Sequence, residues 1–225
     1  MRRPSRKRND DGMTLVELLV SMGIFGVLMG FVFAIMIQML YLSKDSMGRV
    51  NATEGARLGV SQIDRQVRSG NVILDPASET LASSGVEPYY SLRIYTQEGA
   101  TAKCAQWRVI DHGDGGVLEY RHWSPNYPAD PAVSSWGVVA HGVVVSGSST
   151  PDPDDSSTWP PFWKDTTTSV AAAGATPAQN VRITLHVTDD MMKAGSKPIT
   201  MSTVVTGRNT VLSYSESNCS TVPTP

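Results

Sequence analysis

One carboxylate, that of Glu17, lies at the start of a long apolar stretch. No charged residue occurs at the 25 positions from Leu18 to Leu42. An ionised side chain inside a membrane-length segment costs free energy unless it finds a partner, so Glu17 is a functional candidate by default. A suitable cation would arise if the bond between Gly12 and Met13 were cleaved, because cleavage frees an α-amino group on Met13. The alternative is that Glu17 lies at the level of the lipid headgroups and is merely tolerated there.

The residue types of a hydrolytic triad also occur in the chain, but no motif organises them. The sequence contains no nucleophile elbow, no zinc-protease helix motif and no glycine-rich phosphate loop. His112 and Asp114 lie in a turn-rich stretch, where such residues are common for backbone reasons. We therefore expect a protein that is not an enzyme. The residues considered are Asp111, His112, Asp114, His122, Ser124 and His141.

Two further groups of residues could bind or cross-link. Asp152, Asp154 and Asp155 are weak candidates for calcium ligands. They lack the spacing, the glycine and the distal glutamate of an EF-hand, so a solvated acidic loop is the favoured interpretation. Cys104 and Cys219 are not in a Cys-x-x-Cys pattern, which excludes a zinc site or a thioredoxin-type motif built on them. We expect neither a resident metal nor a cofactor.

The charge of the chain is unevenly distributed. The 225 residues carry a formal net charge of −2, which argues against a general nucleic-acid-binding protein. The first twelve residues nevertheless carry a net charge of about +3, so the remainder carries about −5. A mildly acidic body therefore follows a short basic leader. The leader's cations are Arg2, Arg3, Arg6, Lys7 and Arg8, and its anions are Asp10 and Asp11.

The apolar stretch that follows the leader is long enough to cross a membrane. A helix of 25 residues is about 37 Å long, and the hydrocarbon core of a bilayer is about 30 Å thick. The stretch is too long for a secretory signal, whose apolar region spans about 7–15 residues. Basic flanks stay in the cytoplasm. The sequence therefore predicts a single-pass membrane anchor with a cytoplasmic N-terminus, and residues after Leu42 outside the cytoplasm.

The stretch from Gly12 to Val20, behind its basic leader, resembles the class III signal of type IV prepilins and type II secretion pseudopilins. It reads Gly-Met-Thr-Leu-Val-Glu-Leu-Leu-Val. The resemblance covers residues 1 to about 42. It implies that prepilin peptidase cuts between Gly12 and Met13 and methylates the new N-terminus at Met13. It also implies that Glu17 pairs with the terminal ammonium of a neighbouring subunit during assembly.

The resemblance further implies a structural subunit of a pilus or secretion pseudopilus. Its partners would be prepilin peptidase, other pilins or pseudopilins, the inner-membrane assembly platform and membrane lipid, without nucleic acid. Its location would be the inner membrane and then a cell-surface pilus or a periplasmic or cell-wall pseudopilus. Leu15, Gly26 and Gly30 are candidate assembly residues, since a Gly-x-x-x-Gly spacing allows close helix approach. The alternative is a signal-anchored extracytoplasmic binding protein that does not polymerise.

An amphipathic continuation of the helix follows the apolar stretch. Apolar residues at Ala56, Val60, Ile63 and Val67 recur at helical spacing among polar ones. The pattern predicts one helix from Thr14 to Ser69 that ends near Gly70 and Asn71. The expected organisation is a cleaved leader at 1–12, a membrane-spanning and filament-core helix at 13–42, its amphipathic continuation at 43–70 and an extracytoplasmic domain at 71–225.

Residues 71–225 alternate between apolar and polar in short runs, which predicts a β-rich domain. An antiparallel sheet packed on the amphipathic helix is the simplest arrangement, so the predicted fold class is α+β with a pilin-like architecture. A loop at about 147–180 is rich in Pro, Ser, Thr and Asp. The predicted strands are 90–96, 104–110, 117–123, 138–145, 181–187 and 199–206.

Three details of this domain remain open from the sequence. Within the prepilin group, its size and a Cys-x-x-Trp strand suggest a large minor pilin of the PilW or J-type pseudopilin kind. Outside the cytoplasm disulfides persist, so a disulfide between Cys104 and Cys219 is favoured over the alternative of two separate buried thiols. Trp159, Phe162 and Trp163 either fold back onto the domain or form a partner-binding patch.

Overall fold

The computed structural model of the chain describes residues 14–98, 101–113, 115–145, 150–164, 178–212, 214–215 and 217–225. The fold is α+β, as predicted, with a long N-terminal helix followed by antiparallel strands. Helix α1 spans Leu15–Ser69. The chain divides into two compact units, Met1–Asp45 and Ser46–Pro225, with the division inside α1.

The first unit contains the apolar part of α1. Its large apolar side chains are exposed all round the helix, from Leu15 to Leu42. None of its most apolar 18-residue window is buried by the described residues, and α1 is long and apolar enough to cross a membrane. A surface of this kind is unfavourable in water, because exposed apolar area costs about 25 cal/mol per Å². The first unit therefore has the composition and the exposure of a membrane anchor.

In the second unit, the remainder of α1 buries one stripe of small and apolar residues. The buried residues are Gly48, Ala52, Ala56, Gly59, Ile63 and Val67. The predicted stripe is confirmed: Ala56, Ile63 and Val67 are buried, and Val60 is partly buried and packs against the same core. Gly59 joins the stripe, because its missing side chain admits Leu118: a Cβ on Gly59 would lie 2.6 Å from Leu118 Cδ2.

A five-stranded antiparallel sheet has the order β1-β2-β3-β4-β5. The strands span Gly70–Ile73, Ser91–Glu98, Thr101–Asp111, Gly116–Trp123 and Gly137–His141. Between β1 and β2 lie a 3₁₀ turn at Pro76–Ser78 and the short helix α2, Leu81–Ser84. The sequence pattern did not reveal β1, because four residues directly after a helix show no alternation.

A three-stranded antiparallel sheet has the order β6-β7-β8. Its strands are Phe162–Trp163, Asn180–Val187 and Ile199–Thr206. A single predicted strand over 138–145 was wrong, because β5 ends at His141 and Val143 instead forms a bridge to Val187 of β7. Gly142 makes the change of sheet possible: its φ is +70°, and a Cβ there would lie 2.0 Å from the carbonyl oxygen of Thr188.

The two faces of the five-stranded sheet differ in chemistry. One face contributes Leu92, Ile94, Trp107 and Leu118 to the main core, which also contains Ile63 and Val67 of α1. The indole N–H of Trp107 donates to Gln66 Oε1 at 2.7 Å, which fixes the helix against this face. The opposite face carries a buried polar layer. Its members are Ser91, Arg93, Gln106, Arg108, Glu119 and Arg121.

Part of the long loop packs onto the domain. Phe162 is completely buried in the main core. Trp159 and Trp163 lie on the other face of the three-stranded sheet, with their ring centroids 4.1 and 5.7 Å from the guanidinium carbon of Arg182. Of the two interpretations of these aromatic residues, folding back therefore accounts for their positions. The rest of the predicted loop, at 146–149 and 165–177, lies outside the described residues.

Candidate functional site

A side-chain cap begins helix α1. The N–H of Glu17 donates to Thr14 Oγ1 at 3.2 Å, and the N–H of Leu18 donates to the Thr14 carbonyl oxygen at 3.1 Å. The hydroxyl of Thr14 lies 3.5 Å from Glu17 Oε2. Thr14 and Glu17 have the Thr-x-x-Glu spacing of a capping box, in which a hydroxyl and a carboxylate satisfy free amides of the first turn.

The cap gives Glu17 a structural role that the sequence analysis missed, although the Thr-x-x-Glu spacing signals it. A carboxylate in the first turn is also favoured by the partial positive charge at a helix N-terminus. Among the described residues, however, Glu17 is exposed and belongs to none of the ion pairs. The cap therefore fixes the backbone of the first turn and leaves the carboxylate of Glu17 exposed. Gly12 and Met13, the predicted cleavage residues, lie outside the described residues.

The predicted assembly residues lie on the exposed surface of the helix. Leu15 is 76% exposed. Around Gly23, Gly26 and Gly30 a Cβ would meet nothing within 4 Å. Glycine inside a helix costs about 1 kcal/mol relative to alanine, so each of these glycines weakens the helix. No contact within the described part of the first unit compensates for that cost.

The other residues that sequence reasoning singled out are placed in turns and strands. Asp111 Oδ1 accepts from the N–H of Gly113, and Asp152 Oδ1 accepts from the N–H of Asp154. His112 Nε2 lies 3.0 Å from Glu119 Oε1. Within the described residues no group of three or more His, Cys, Asp or Glu side chains could hold a metal ion. Asp114, one of the considered triad residues, lies outside them.

Cys104 and Cys219 form a disulfide, with their Cα atoms 5.6 Å apart. It joins a central strand to the C-terminal tail, which is also bound by two arginines. Arg93 Nη1 donates to the carbonyl oxygen of Cys219 at 2.9 Å. Arg121 Nη1 donates to the Thr224 carbonyl at 2.8 Å, and its Nη2 donates to Pro223 at 3.1 Å. The tail therefore covers the polar face of the five-stranded sheet.

The polar layer under the tail contains more cations than anions. Arg93 pairs with Glu79, and Arg108 pairs with Glu119, with nitrogen–oxygen distances of 2.5 and 2.7 Å. Arg121 instead donates to Gln106 Oε1 and to backbone carbonyls. Burial, assisted by the positive charge of Arg108, lowers the pKa of Arg121 to about 10. The layer satisfies its buried donors and has the character of a structural network.

A protein-family model described as the prokaryotic N-terminal methylation motif matches residues 7–33. The matched range contains the Gly12–Met13 bond, the capped Glu17 and the glycines at 23, 26 and 30. The chain carries a type IV pilin-like prepilin signal. Such a signal implies processing by prepilin peptidase and assembly with other pilins, and with the long apolar helix it fits a membrane-anchored single-pass protein.

The prepilin signal points to a structural protein rather than an enzyme. The match covers 27 residues and ends inside α1, so the β-rich domain contributes nothing to it. Comparisons of the chain with curated proteins and with solved structures found no match.

Proposed function

We propose that the chain is a structural subunit of a type IV pilus or a type II secretion pseudopilus, and that it enters the filament through α1. One observation carries the proposal: behind a prepilin signal, an apolar helix with an exposed carboxylate in its capped first turn is not buried by any of the described residues. In water such a helix is unfavourable. Lipid covers it before assembly, and the helices of neighbouring subunits cover it afterwards.

Processing of the proposed subunit happens at the cytoplasmic face of the inner membrane. Prepilin peptidase removes residues 1–12 by cutting between Gly12 and Met13, and Met13 is then N-methylated. The cut places a new positive charge one residue before Thr14, the cap of α1. Residues 13–42 form the membrane-spanning and filament-core segment, 43–70 the amphipathic continuation, and 71–225 the domain outside the cytoplasm. The Cys104–Cys219 disulfide agrees with that location, because disulfides persist outside the reducing cytoplasm.

The mechanism of assembly is a charge pairing between subunits. The carboxylate of Glu17 in an incoming chain pairs with the terminal ammonium on Met13 of a chain already in place. In a helix bundle this attraction is stronger than in water, since the effective dielectric constant is lower. The Thr14 cap supports the pairing by fixing the first turn, so that the side chain loses less conformational freedom on binding.

Small and apolar residues around the carboxylate extend the interface. Gly26 and Gly30 leave open space on the helix surface, into which a neighbouring helix can approach closely. Leu15 supplies apolar contact in the first turn. The glycines lower the stability of the helix, and this loss is offset only when such a neighbouring helix is present.

The subunit is a minor one, with a priming or tip role, of the PilW or J-type pseudopilin kind. Two observations support this narrower proposal. The second unit spans Ser46–Pro225, which is large beside the domains of major pilins. Many major pilins carry a proline in the middle of the span, where this chain has Ala34.

Co-expression with a prepilin peptidase tests the processing step. We expect intact mass spectrometry to show the loss of residues 1–12, and Gly12→Ala to abolish that loss. A matched control is Gly23→Ala, which makes the same change inside the helix and leaves cleavage unaffected. A chain that still begins at Met1 after co-expression would contradict the proposal and favour the alternative, a signal-anchored binding protein that does not polymerise.

Substitutions at Glu17 test the pairing step separately from the cap. Glu17→Gln keeps a capping-box residue in the first turn but removes the charge. We expect Glu17→Gln and Glu17→Ala to be cleaved normally and to be lost from the filament fraction, as measured by immunoblotting. Normal incorporation of Glu17→Gln, with loss of Glu17→Ala alone, would show that capping rather than charge is what assembly needs.

A further inference from the structure

Strand β8 is the outermost strand of the three-stranded sheet. It pairs with β7 along its full length, from Asn180 opposite Thr206 to Val187 opposite Ile199, in an unbroken register. Among the described strands it has no other neighbour. One long side of β8 is therefore a free edge of the sheet as far as the described residues show.

The backbone groups on that free edge follow from the hydrogen bonds of β7. The N–H of Thr184 donates to Pro161 at 3.0 Å, and the carbonyl of His186 accepts from Val144 at 2.7 Å. Both groups point away from β8. In an antiparallel pair such residues form the non-hydrogen-bonded pairs. Their partners Ser202 and Thr200 consequently direct their own N–H and C=O groups to the free edge, and the alternation extends this to Val204 and Thr206.

Side-chain contacts agree with this assignment. Thr184 Oγ1 lies 3.1 Å from Ser202 Oγ, and His186 Nδ1 lies 2.9 Å from Thr200 Oγ1. Side chains approach closely in non-hydrogen-bonded pairs. All four outward residues of β8 are exposed, and within the described part of the chain their outward backbone groups have no backbone partner.

The other described sheet edges are protected. Strand β1 has four residues with a register shift, and the N–H of Ile73 is taken by Gln179 Oε1 at 2.9 Å. Strand β6 has two residues, and the N–H of Phe162 donates to Tyr89. Strand β5 has a register shift against β4 and continues into the Val143–Val187 bridge. Short strands, bulges and covering groups are the usual means by which proteins prevent unwanted edge pairing.

Strand β8 has none of these protections. Its sequence, Ile-Thr-Met-Ser-Thr-Val-Val-Thr, contains eight residues without charge and without proline. We propose that the free edge of β8 takes up an extended, uncharged strand of a different subunit, which adds a fourth strand to the three-stranded sheet. This inference rests on the proposed function, and it identifies a contact between domains in addition to the helix contact.

A second copy of this chain does not fit the edge. Two β8 strands pairing antiparallel would be related by a two-fold axis, and such an interface closes into a dimer. A filament whose subunits all point the same way relates them by a screw rotation instead. Pairing of β8 with another edge of an identical chain is also disfavoured, because the other described edges are protected. A different subunit avoids both difficulties, because it need not be related to this chain by a two-fold axis and it can offer a strand edge that is not protected.

The side chains of β8 indicate the character of the incoming strand. Ile199 and Met201 face the core but are only partly buried, so they leave apolar area that a further strand would cover. Val204, on the opposite face, is 37% exposed. The incoming strand should therefore carry apolar side chains on its core-facing side and small or hydroxylated ones on the other.

Residue-resolved amide hydrogen exchange provides the direct test. The full chain is compared in two states, purified in detergent micelles and recovered in the filament fraction. We expect the outward amides of Thr200, Ser202, Val204 and Thr206 to exchange rapidly in micelles and to slow at least about tenfold in the filament. The inward amides of β8, already bonded to β7, serve as the internal control because they are protected in both states.

A pair of substitutions at one position gives an independent test. Val204→Pro removes an outward N–H, and proline is tolerated on the outer side of an edge strand. Val204→Thr keeps that N–H and the strand propensity. We expect Val204→Pro to lose most of its incorporation into the filament and Val204→Thr to keep it. A retained disulfide and unchanged thermal unfolding in micelles would show that both variants fold.

The outcomes separate this inference from the proposed function. A chain that enters the filament with its four outward amides unprotected refutes the β8 contact alone, as does normal incorporation of Val204→Pro. A chain that never enters the filament refutes the proposed function and the β8 contact with it. Protection of the same amides in a purified dimer of this chain would identify a second copy as the occupant and overturn the choice of a different subunit.

Discussion

Helix α1 uses similar residues in its two parts for different purposes. Before Asp45, isoleucine and glycine are exposed, as at Ile24 and Gly30. After Ser46, Ile63 is completely buried, and Gly48 lies against backbone atoms of Met191 and Met192. The hydrophobic effect acts on both parts, but among the described residues only the second part finds apolar neighbours that bury it. Burial against the domain, rather than composition, therefore distinguishes the part of α1 that is packed within the chain from the part that needs another molecule to cover it.

The largest expected effect comes from the same substitution in each part. Ile63→Ala removes a fully buried side chain and should lower the free energy of unfolding of the second unit by about 2–5 kcal/mol. Ile24→Ala, at a residue 58% exposed, should change it by less than about 0.5 kcal/mol. Chemical unfolding of the full chain in micelles measures both. Equal losses of unfolding free energy in the two variants would mean that the apolar part of α1 is also packed within the protein.

Glycine substitutions should give the next largest difference. A Cβ on Gly48 would lie 2.7 Å from the backbone N of Met192, so Gly48→Ala must displace backbone. We expect a net loss of about 1–2 kcal/mol after the gain in helix propensity. A Cβ on Gly30 would meet nothing within 4 Å. Gly30→Ala should therefore leave the unfolding of the second unit unchanged, while reducing entry into the filament. A stabilising Gly48→Ala would contradict the close approach seen in the structure.

Removing the cap of α1 should cost less stability than the core and glycine substitutions. Thr14→Ala removes the acceptor of the Glu17 N–H and should cost the first turn about 1 kcal/mol. Amide exchange at Glu17 in micelles should accelerate roughly fivefold as a result. Thr53→Ala is the matched control, because the Thr53 hydroxyl donates to the Arg49 carbonyl in the middle of the helix and caps nothing. If amide exchange at Glu17 were also faster in Thr53→Ala, the acceleration would not be specific to the loss of the cap.

The smallest expected effect separates the two faces of the second part of α1. Leu58 is 54% exposed, on the side away from the buried stripe. Leu58→Ala should change the free energy of unfolding by less than about 0.5 kcal/mol, in contrast to the large effect expected at Ile63 of the same helix. Thermal unfolding of the two variants side by side measures the contrast. A loss comparable to that of Ile63→Ala would place Leu58 in the core.

Much of the fold was predictable because local patterns agree with the tertiary structure. Strand β8 has its predicted bounds, and α1 starts one residue from the predicted start and ends where predicted. Two glycines have roles that depend on distant residues. Gly59 joins the buried stripe because Leu118 packs there, and Gly142 ends β5 because Thr188 lies close behind it. Neither neighbour is near in sequence.

The functional residues also fall into those that were predictable from the sequence and those that were not. The type and position of Glu17, the glycines and the length of the apolar stretch are sequence properties, and they predicted the prepilin signal that the family comparison then found. The Thr14 cap was also readable from its spacing. The arginine layer under the tail was not, because Arg93, Gln106 and Arg121 become neighbours only when β2, β3 and β4 pair in register.

By itself the sequence determined the membrane-length helix, its early carboxylate and the signal in front of it, because charge and hydropathy act locally along a chain. Only the tertiary structure decided which glycines touch the domain, which face of the sheet carries buried charge and which strand edge is left open. Those properties depend on register and on contacts between residues far apart in sequence. The free edge of β8 is the clearest case: eight uncharged residues predict a strand, but hydrogen bonds made by β7 to Pro161 and Val144 decide which way its backbone groups point.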